Sequence, residues 1–228
     1  MNLAIVGYGK MGRLVEQLAA ECGFAVTLKL DEFNNVEFAG ITQENFRGVD
    51  VAVEFSIPST VVGNIERIAA LGVNLVVGTT GWLERLEDVR AIVEKNGIGL
   101  VWAPNFSIGV NVFARLVAEA ARQLATEPQY GAWAWEIHHS AKKDAPSGTL
   151  LKLVEEMKKA GYTRRIDTGS NRAGAHPGTH EIGFDSGADT ITLRHTARSR
   201  EGFARGALKA AEWVVGKKGL FEFSEIMR

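Results

Sequence analysis

The apolar positions in the first half of the chain follow two patterns in turn. Short continuous apolar runs predict buried strands, and these lie at residues 3–6, 24–30, 49–55, 74–77 and 99–102. Between them, residues 11–20 and 60–71 carry apolar side chains every three or four positions, which predicts amphipathic helices. Strands that alternate with helices predict an open parallel α/β sheet.

The pattern changes in the second half of the chain. Residues 133–138 alternate strictly, so Glu136 and His138 share one face of a predicted strand. Further strands are predicted at 179–184 and 190–197, helices at 150–159 and 203–215, and a glycine-rich loop at 169–178. The strands predict a mixed or antiparallel sheet with one face covered by a helix. A second copy of the chain would most simply bury the other face, so we expect a homo-oligomer.

A G-x-G-x-x-G motif follows the first predicted strand and opens the first predicted helix. Its residues are Gly7, Tyr8, Gly9, Lys10, Met11 and Gly12. In a dinucleotide-binding unit the first glycine permits a tight turn, the second keeps bulk away from the pyrophosphate, and the third lets the helix pack on the strand. The motif therefore predicts a dinucleotide site. The alternative is that the glycines serve only a tight strand-to-helix connection.

The end of the second predicted strand bears on cofactor choice. Asp31 is placed to accept hydrogen bonds from a ribose 2′-hydroxyl, and the neighbouring Glu32 would repel a 2′-phosphate. NADH is therefore expected to be favoured. Lys29 lies on the same strand face as Asp31 and would offset part of that repulsion, so use of NADPH stays open as well.

Two later loops are expected to contact the cofactor, because ligands of open parallel sheets lie beyond the carboxyl ends of the strands. The first loop carries Gly78, Thr79 and Thr80, and the second carries Ala103, Pro104, Asn105 and Phe106. An amide and an aromatic ring would suit a nicotinamide carboxamide. Each loop alone is ordinary, however, and a phenylalanine at such a position more often caps a core.

The densest polar chemistry lies in residues 136–149, which contain His138, His139 and Lys142. Residues 146–149 open a predicted helix whose first N–H groups and positive dipole end favour an anion, and Gly148 and Thr149 are candidates to hold a carboxylate. The segment predicts a site for an anionic substrate. In the alternative, Ser147 or Thr149 only caps the helix, the lysine is solvated and the histidines pack against tryptophans.

Composition narrows the class of protein. Of 228 residues, 46% are hydrophobic, so we expect a globular protein. The 26 basic and 27 acidic residues give a net charge of −1, so we expect neither nucleic acid nor membrane as a partner. No apolar run is long enough to span a bilayer. The single cysteine, Cys22, predicts a cytoplasmic protein without disulfides, and no metal-binding spacing is present.

Nearly the whole chain resembles the 4-hydroxy-tetrahydrodipicolinate reductase (dihydrodipicolinate reductase) family. The resemblance depends most on residues 136–149, and it is supported by residues 7–12, 78–80, 105–107, 172–180 and 199–207. Two departures from the family pattern are Ser140-Ala141, where a bulky basic residue is common, and Lys143, where an apolar residue is common. Neither removes a residue for which the family has a catalytic role.

The resemblance implies a Rossmann-type domain with a parallel sheet, formed by residues 1–106 plus 202–228, and a smaller α+β substrate and oligomerisation domain with a mixed sheet at 107–201. It also implies a homotetramer. The reaction would be the NAD(P)H-dependent reduction of (2S,4S)-4-hydroxy-2,3,4,5-tetrahydrodipicolinate, with loss of water, in lysine and diaminopimelate biosynthesis. His138 would be the proton donor, Lys142 a catalytic proton donor, His139 a substrate ligand, and Gly148 with Thr149 the carboxylate site.

Two other classes of protein remain to be weighed. A nucleotide-sensing protein without catalytic activity would have no need of His138, His139 and Lys142 together. A dehydrogenase acting on a semialdehyde through acyl chemistry would need a nucleophilic cysteine, and Cys22, near the end of the first predicted helix, is badly placed for that role. Whether His138 or Lys142 delivers the proton is open from the residues alone, and our hypothesis is His138.

Overall fold

The computed structural model describes residues 1–227, which form two compact units. The first unit comprises Met1–Ile108 and the segment from Glu201 onwards, and the second is Gly109–Arg200. Each unit has its own sheet and its own hydrophobic core. Among the described residues, no helix combines the length and the apolar character that crossing a membrane requires.

The first unit contains a six-stranded sheet in which every pairing is parallel. Its strands are β1 (Asn2–Val6), β2 (Ala25–Leu30), β3 (Val51–Glu54), β4 (Asn74–Val77), β5 (Gly99–Trp102) and β10 (Gly219–Glu222). Its helices are α1 (Lys10–Ala19), α2 (Val61–Ala70), α3 (Leu86–Asn96), α6 (Glu201–Val214) and α7 (Phe223–Ile226), with 3₁₀ turns at Ala20–Cys22, Val36–Phe38 and Leu83–Arg85. The strand order is β10-β5-β4-β3-β1-β2. The chain adds β2 on one side of β1 and then continues with β3 on the other side, so the topological switch point lies between β1 and β3.

Two cores cover the two faces of this sheet, which explains why its strands are continuously apolar. Leu3 and Ile5 of β1 point into the core shared with α1 and α6, whereas Ala4 and Val6 point into the core shared with α2 and α3. The predicted parallel sheet is confirmed. The sequence pattern did not reveal β10, because this short segment pairs with β5 at the sheet edge and none of its residues is fully buried.

The second unit contains a four-stranded mixed sheet. Its strands are β6 (Gly131–His138), β7 (Ile166–Arg172), β8 (Thr179–Asp185) and β9 (Thr190–Thr196), and its helices are α4 (Ile108–Leu124) and α5 (Gly148–Lys159). In the order β7-β6-β8-β9, β7 runs parallel to β6 and the other pairs are antiparallel. The predicted loop at 169–178 is wrong in its first part, because residues 169–172 belong to β7. This polar edge strand lacks an apolar pattern, and its pairing with β6 determines its conformation.

One face of the mixed sheet packs on α4 and α5. Ala132 and Ala134 of β6 face Phe113, Leu150 and Leu153 there. The predicted alternation of β6 is confirmed, and the buried face carries the small residues because the helices lie close to it. The tryptophans of β6 lie on the opposite, half-buried face.

Candidate active site

The three glycines of the G-x-G-x-x-G motif have different surroundings. Gly7 has φ +92°, and a Cβ there would lie 2.2 Å from the carbonyl oxygen of Phe55. A Cβ on Gly12 would lie 2.5 Å from the carbonyl oxygen of Gly7 and 3.0 Å from the Ile5 side chain, so this glycine permits close packing of α1 on β1. A Cβ on Gly9 would have no described neighbour within 4 Å. The need for a glycine at position 9 therefore does not come from packing.

The first turn of α1 is suited to an anion. Gly9 is the N-cap, and no side-chain hydrogen bond caps the helix in the described part of the chain. The first backbone N–H groups of a helix and the positive end of its dipole favour an anion. Gly9 and Lys10 line both of the cavities described next.

A cavity of about 600 Å³ adjoins this turn, and Asp31 lines it together with Arg13, Asn35 and Phe38. The Oδ1 atom of Asp31 accepts hydrogen bonds from the backbone N–H groups of Phe33 (2.9 Å) and Asn34 (3.1 Å), which hold its carboxylate at the end of β2.

The basic residue that lines the cavity with Asp31 is not the one that the strand pattern indicated. Lys29 is not among the residues that line the cavity, and its Nζ lies 2.9 Å from Oε1 of Glu16. The positive charge of Lys29 is therefore offset by Glu16 rather than directed at a cofactor phosphate. Arg13, one helical turn after Gly9, lines the cavity instead. Its distance from Gly9 was the signal that could have revealed it.

A second cavity, of about 410 Å³, brings Gly78, Thr79 and Thr80 next to Gly9, Lys10 and Met11. The structure thus places two of the predicted cofactor segments together. A Cβ on Gly78 would lie 2.0 Å from the ring of Phe55, so this glycine lets β4 approach that ring.

Residues 103–106 line neither of these two cavities. Ala103 is buried, Pro104 is exposed, and the side chain of Asn105 accepts a hydrogen bond from the backbone N–H of Ser107 (2.9 Å). The ring of Phe106 is 2% exposed and packs on Phe223, with ring centroids 4.9 Å apart. The ring therefore caps the core, and only the backbone of Phe106 is left for a cofactor contact.

In the second unit, the polar groups of the candidate site surround Glu136. The register of the sheet sets Ser170 of β7 and His180 of β8 opposite Glu136 on either side of β6. The same register sets Arg172 opposite His138. Strand pairing alone therefore assembles these side chains at the end of β6.

His138 pairs with His180 rather than with His139. The ring centroids of His138 and His180 are 5.1 Å apart, and the rings meet edge to face. His139 lies in the loop after β6, where its backbone carbonyl accepts the N–H of Lys142 (3.1 Å). Sequence reasoning could not find His180 as a member of this cluster, because only the β6–β8 register brings it there.

The pKa of His138 is below its usual value. Burial lowers it first, the carboxylate of Glu136 opposes that effect, and the positive charges of Lys142 and Arg172 lower it further. The His138 imidazole is consequently neutral at neutral pH in the free protein. A bound anion near the two cations would favour its protonation.

The loop after His138 holds a carboxylate of its own. Lys142 Nζ lies 2.8 Å from Oδ1 of Asp144, and this contact, with a further contribution from the backbone N–H of Gly148, lowers the pKa of Asp144. Ser147 is the N-cap of α5 and accepts the N–H of Leu150 (3.2 Å). The capping role that was the alternative therefore belongs to Ser147. Gly148 and the half-buried Thr149 form the first turn above it.

The residues present fit a nicotinamide dinucleotide. The open N-terminus of α1 beside Gly9 can accept the pyrophosphate, and Asp31 can accept the hydroxyls of a ribose. The second unit adds an imidazole, a lysine and a helix N-terminus suited to an anion. Together, the fold and the site define a dinucleotide-dependent oxidoreductase that acts on an anionic substrate.

Comparison with known proteins gives the family. The model of the N-terminal region of dihydrodipicolinate reductase matches residues 1–106, and the model of its C-terminal region matches residues 109–227. The chain belongs to the dihydrodipicolinate reductase family. It is accordingly an NAD(P)H-dependent oxidoreductase with the family's reaction, in lysine and diaminopimelate biosynthesis.

Relatives match over their whole length. A 4-hydroxy-tetrahydrodipicolinate reductase from Christiangramia forsetii is 34% identical, covering 100% of this chain and 98% of its own. One from Methanosarcina mazei is 31% identical, covering 100% and 99%. A dipicolinate-bound dihydrodipicolinate reductase from Paenisporosarcina sp. TG-14 has a TM-score of 0.84 at 23% identity and 99% coverage of both chains, and it shares the fold.

Proposed function

We propose that this chain reduces (2S,4S)-4-hydroxy-2,3,4,5-tetrahydrodipicolinate to 2,3,4,5-tetrahydrodipicolinate, consuming one proton and releasing one water, with His138 and Lys142 as catalytic residues. The observation that carries this assignment is the Asp144 carboxylate beside Lys142 and the N-terminus of α5. Two donors that hold an internal carboxylate can also hold one from a substrate.

The substrate is a small dicarboxylate, and we assign its binding to His139, Gly148 and Thr149 in addition to Lys142. Dipicolinate, the ligand named for the Paenisporosarcina structure, is such a dicarboxylate. A substrate carboxylate would replace Asp144 at Lys142 and at the Gly148 N–H. The first turn of α5 would stabilise it through backbone N–H groups and the helix dipole.

His138 is the proton donor in this scheme. A bound nicotinamide nucleotide supplies the hydride. The reduced ring then gains electron density that must be neutralised by a proton, and the His138 imidazole can deliver it once anion binding has favoured its protonation. Lys142 stabilises the substrate carboxylate and so lowers the energy of the charged complex.

We assign cofactor binding to three segments of the first unit: Gly7, Tyr8, Gly9, Lys10, Met11, Gly12 and Asp31; Gly78, Thr79 and Thr80; and Ala103, Pro104, Asn105 and Phe106. NADH is the preferred nucleotide, because the Asp31 carboxylate lies in the cavity. NADPH is also used, since Lys10 and Arg13 line the same cavity and can offset the charge of a 2′-phosphate. We place the enzyme in the cytoplasm, in keeping with the one free cysteine, Cys22.

Replacing Asp31 by asparagine tests the cofactor assignment. The amide oxygen can still accept the N–H groups of Phe33 and Asn34, so the turn is kept while the charge is lost. We expect the preference for NADH over NADPH to fall by about tenfold, the size of one charge-assisted hydrogen bond. Dissociation constants of both nucleotides, measured by fluorescence titration, give the result. The exposed Glu44→Gln is the control, and an unchanged ratio in Asp31→Asn would contradict the assignment.

We also propose a homotetramer assembled through the tryptophan face, which we define as Trp133, Trp135 and Ile137 of β6. Trp133 lies over Gly183 of β8, and Trp135 lies over Gly169 of β7, where a Cβ would come within 3.2 Å of the indole. Because these glycines leave room for the indoles over the neighbouring strands, the tryptophan face forms an apolar strip along β6. Self-association would bury it.

A Trp135→Lys variant is expected to lose the tetramer, because a buried lysine without a partner is costly at an apolar interface. Light scattering should give four times the 24.8 kDa chain mass for the wild type and a smaller assembly for the variant. Leu151→Lys changes an exposed residue of α5 and serves as the control. A variant that remains fully tetrameric would place the interface elsewhere.

The activity itself is tested by mixing the purified protein with freshly made 4-hydroxy-tetrahydrodipicolinate and following NADH and NADPH absorbance in parallel. The expected result is oxidation that depends on this substrate and is faster with NADH. Nucleotide binding without oxidation would favour the sensing protein described above.

A further inference from the structure

Glu136 is the most buried carboxylate of the second unit. Its side chain is 0% exposed and lies on the face of β6 that Ala132 and Ala134 share with the core. A charged group among small apolar residues is costly unless its oxygens are fully bonded. The fold therefore keeps this carboxylate for a reason other than packing.

Donors from the N-terminus of α5 and from β7 surround the carboxylate. Oε1 accepts the backbone N–H of Ser147 (2.8 Å), the hydroxyl of Ser170 (3.0 Å) and Nη2 of Arg172 (2.9 Å). Oε2 accepts the Ser147 hydroxyl. Burial raises the pKa of Glu136, but the donors, foremost Ser147 and then Arg172 and Ser170, lower it to about 2. Glu136 is therefore an anion throughout the neutral range.

The same oxygen faces two imidazoles. Oε2 lies 3.2 Å from Nδ1 of His138 and 3.4 Å from Nε2 of His180. Burial and the neighbouring His138 lower the pKa of His180 to about 4, and its Nε2 also lies 3.2 Å from the Ser147 hydroxyl. His180 is thus a neutral neighbour of the cluster.

The two nitrogens of His138 have different surroundings. Nδ1 is buried, forms no regular hydrogen bond in the described part of the chain, and has the Glu136 oxygen as its nearest anion. Nε2 points towards Gly178, where a Cβ would lie only 2.9 Å away. A side chain at position 178 would crowd Nε2, so the glycine keeps side-chain atoms of this position away from that nitrogen. An anion beside one ring nitrogen keeps the proton on it and leaves the other to exchange a proton with a ligand.

We propose that Glu136 is the positioning residue of the site. It keeps the proton of neutral His138 on Nδ1 and so directs Nε2 to the substrate. Through Ser147 it also sets the position of the α5 N-terminus relative to the His138 imidazole. This inference rests on the proposed function of His138. Glu136 thereby links the proton donor and the carboxylate site, which lie on different elements, through a single buried group.

The tautomer of His138 tests the proposal without any change to the site. Two-dimensional ¹H–¹⁵N spectra of the imidazoles distinguish Nδ1–H from Nε2–H, and the spectrum of His138→Gln assigns the signal. The expected result is the Nδ1–H tautomer in the free protein at a pH where His138 is neutral. The Nε2–H tautomer would overturn the proposal. Because this measurement involves no turnover, it stands even if the proposed reaction is not observed.

Glu136→Gln tests the effect on catalysis. We expect kcat to fall by about 10- to 100-fold, as for other groups that orient a reacting residue, with a smaller change in KM. We also expect the pKa of His138 to fall, because the anion that raises it is gone, while Lys142, Arg172, Asp144 and His180 remain around the ring. Glu155→Gln, on the exposed side of α5, is the matched control.

Three outcomes, two with the variant and one with the wild type, would overturn the proposal. The first is wild-type kcat together with a wild-type pH profile in Glu136→Gln. The second is a wild-type enzyme that loses activity when a chelator is added and regains it with Zn²⁺. A metal could also draw together Glu136, His138 and His180, because their ligand atoms lie within 4.8 Å of one another. The third is a folded Glu136→Gln protein, by circular dichroism, that retains the wild-type tautomer. If the variant does not fold, the wild-type tautomer decides alone.

Discussion

Replacement of Lys142 by alanine is expected to lower kcat/KM for the reduction by about 10²–10³-fold. The variant loses a charge-assisted hydrogen bond to the substrate and part of the proton-transfer chemistry. The Lys142 side chain is 24% exposed, and its Nζ already has a carboxylate oxygen 2.8 Å away. Without it, a dianionic substrate would keep His139, the backbone N–H groups of α5 and the more buried Arg172. Steady-state rates at several substrate concentrations measure the change.

The adjacent Lys143 provides a matched control, because it carries the same charge one position later and is exposed. Lys143→Ala should keep the wild-type rate within about twofold, as surface charges contribute little at moderate salt. Equal losses in the two variants would mean that only the general positive charge of the loop matters. The assignment of Lys142 would then be wrong.

Dipicolinate binding separates the two effects of Lys142. Calorimetry should show weaker binding of dipicolinate to Lys142→Ala than to the wild type. In Asp144→Asn the internal competitor loses its charge, so dipicolinate should bind more tightly, provided that Asp144 occupies the substrate position. Undiminished affinity in Lys142→Ala would assign the carboxylate to the helix N-terminus alone.

The nucleotide unit was largely predictable from the sequence because its physics is local. Strands buried on both faces must be apolar throughout, Gly7 has a positive φ in the turn after β1, and Gly12 packs against the carbonyl of that turn. Local patterns did not reveal which basic residue lines the cavity. Lys29 has the right spacing from Asp31, but Glu16 on α1 binds its ammonium group, and this contact depends on how the helix packs on β2.

In the second unit, the sequence predicted the segment that carries the site but not most of the groups that organise it. His138 and Lys142 lie in one continuous motif, whereas Ser170, Arg172 and His180 reach Glu136 only through strand register. Polar β7 gave no strand signal, so its contributions were invisible to periodicity. Register is a property of the assembled sheet, and a single sequence carries little information about it where a strand is polar on both faces.

Replacement of His138 by glutamine is expected to lower kcat by about 10²–10³-fold, within the usual contribution of a general acid. Glutamine can still form hydrogen bonds, but it cannot release a proton in the neutral range. The affinity for dipicolinate should change less than kcat, because Lys142 and the N-terminus of α5 remain. Retention of near wild-type turnover would mean that Lys142 or water delivers the proton.

Proton uptake on binding makes the role of His138 measurable without turnover. In the free protein the pKa of His138 is lowered by burial and by the charges of Lys142 and Arg172, so the ring is neutral at neutral pH. A dianion placed on these cations offsets their charge and raises that pKa, so the complex takes up a proton at any pH between the free and bound values.

Calorimetry with dipicolinate in buffers of different ionisation enthalpy should therefore show uptake of up to one proton by the wild type near neutral pH. The uptake should disappear in His138→Gln. As pH rises above the bound pKa, the wild type should also lose both uptake and kcat, since the imidazole is then neutral in the complex too. Uptake that persists in His138→Gln would move the titrating group elsewhere. Because binding of the anion raises the pKa of His138 and the proton is taken up from solvent, the substrate prepares its own proton donor. A group that is neutral in the free enzyme can therefore still serve as the acid in the complex.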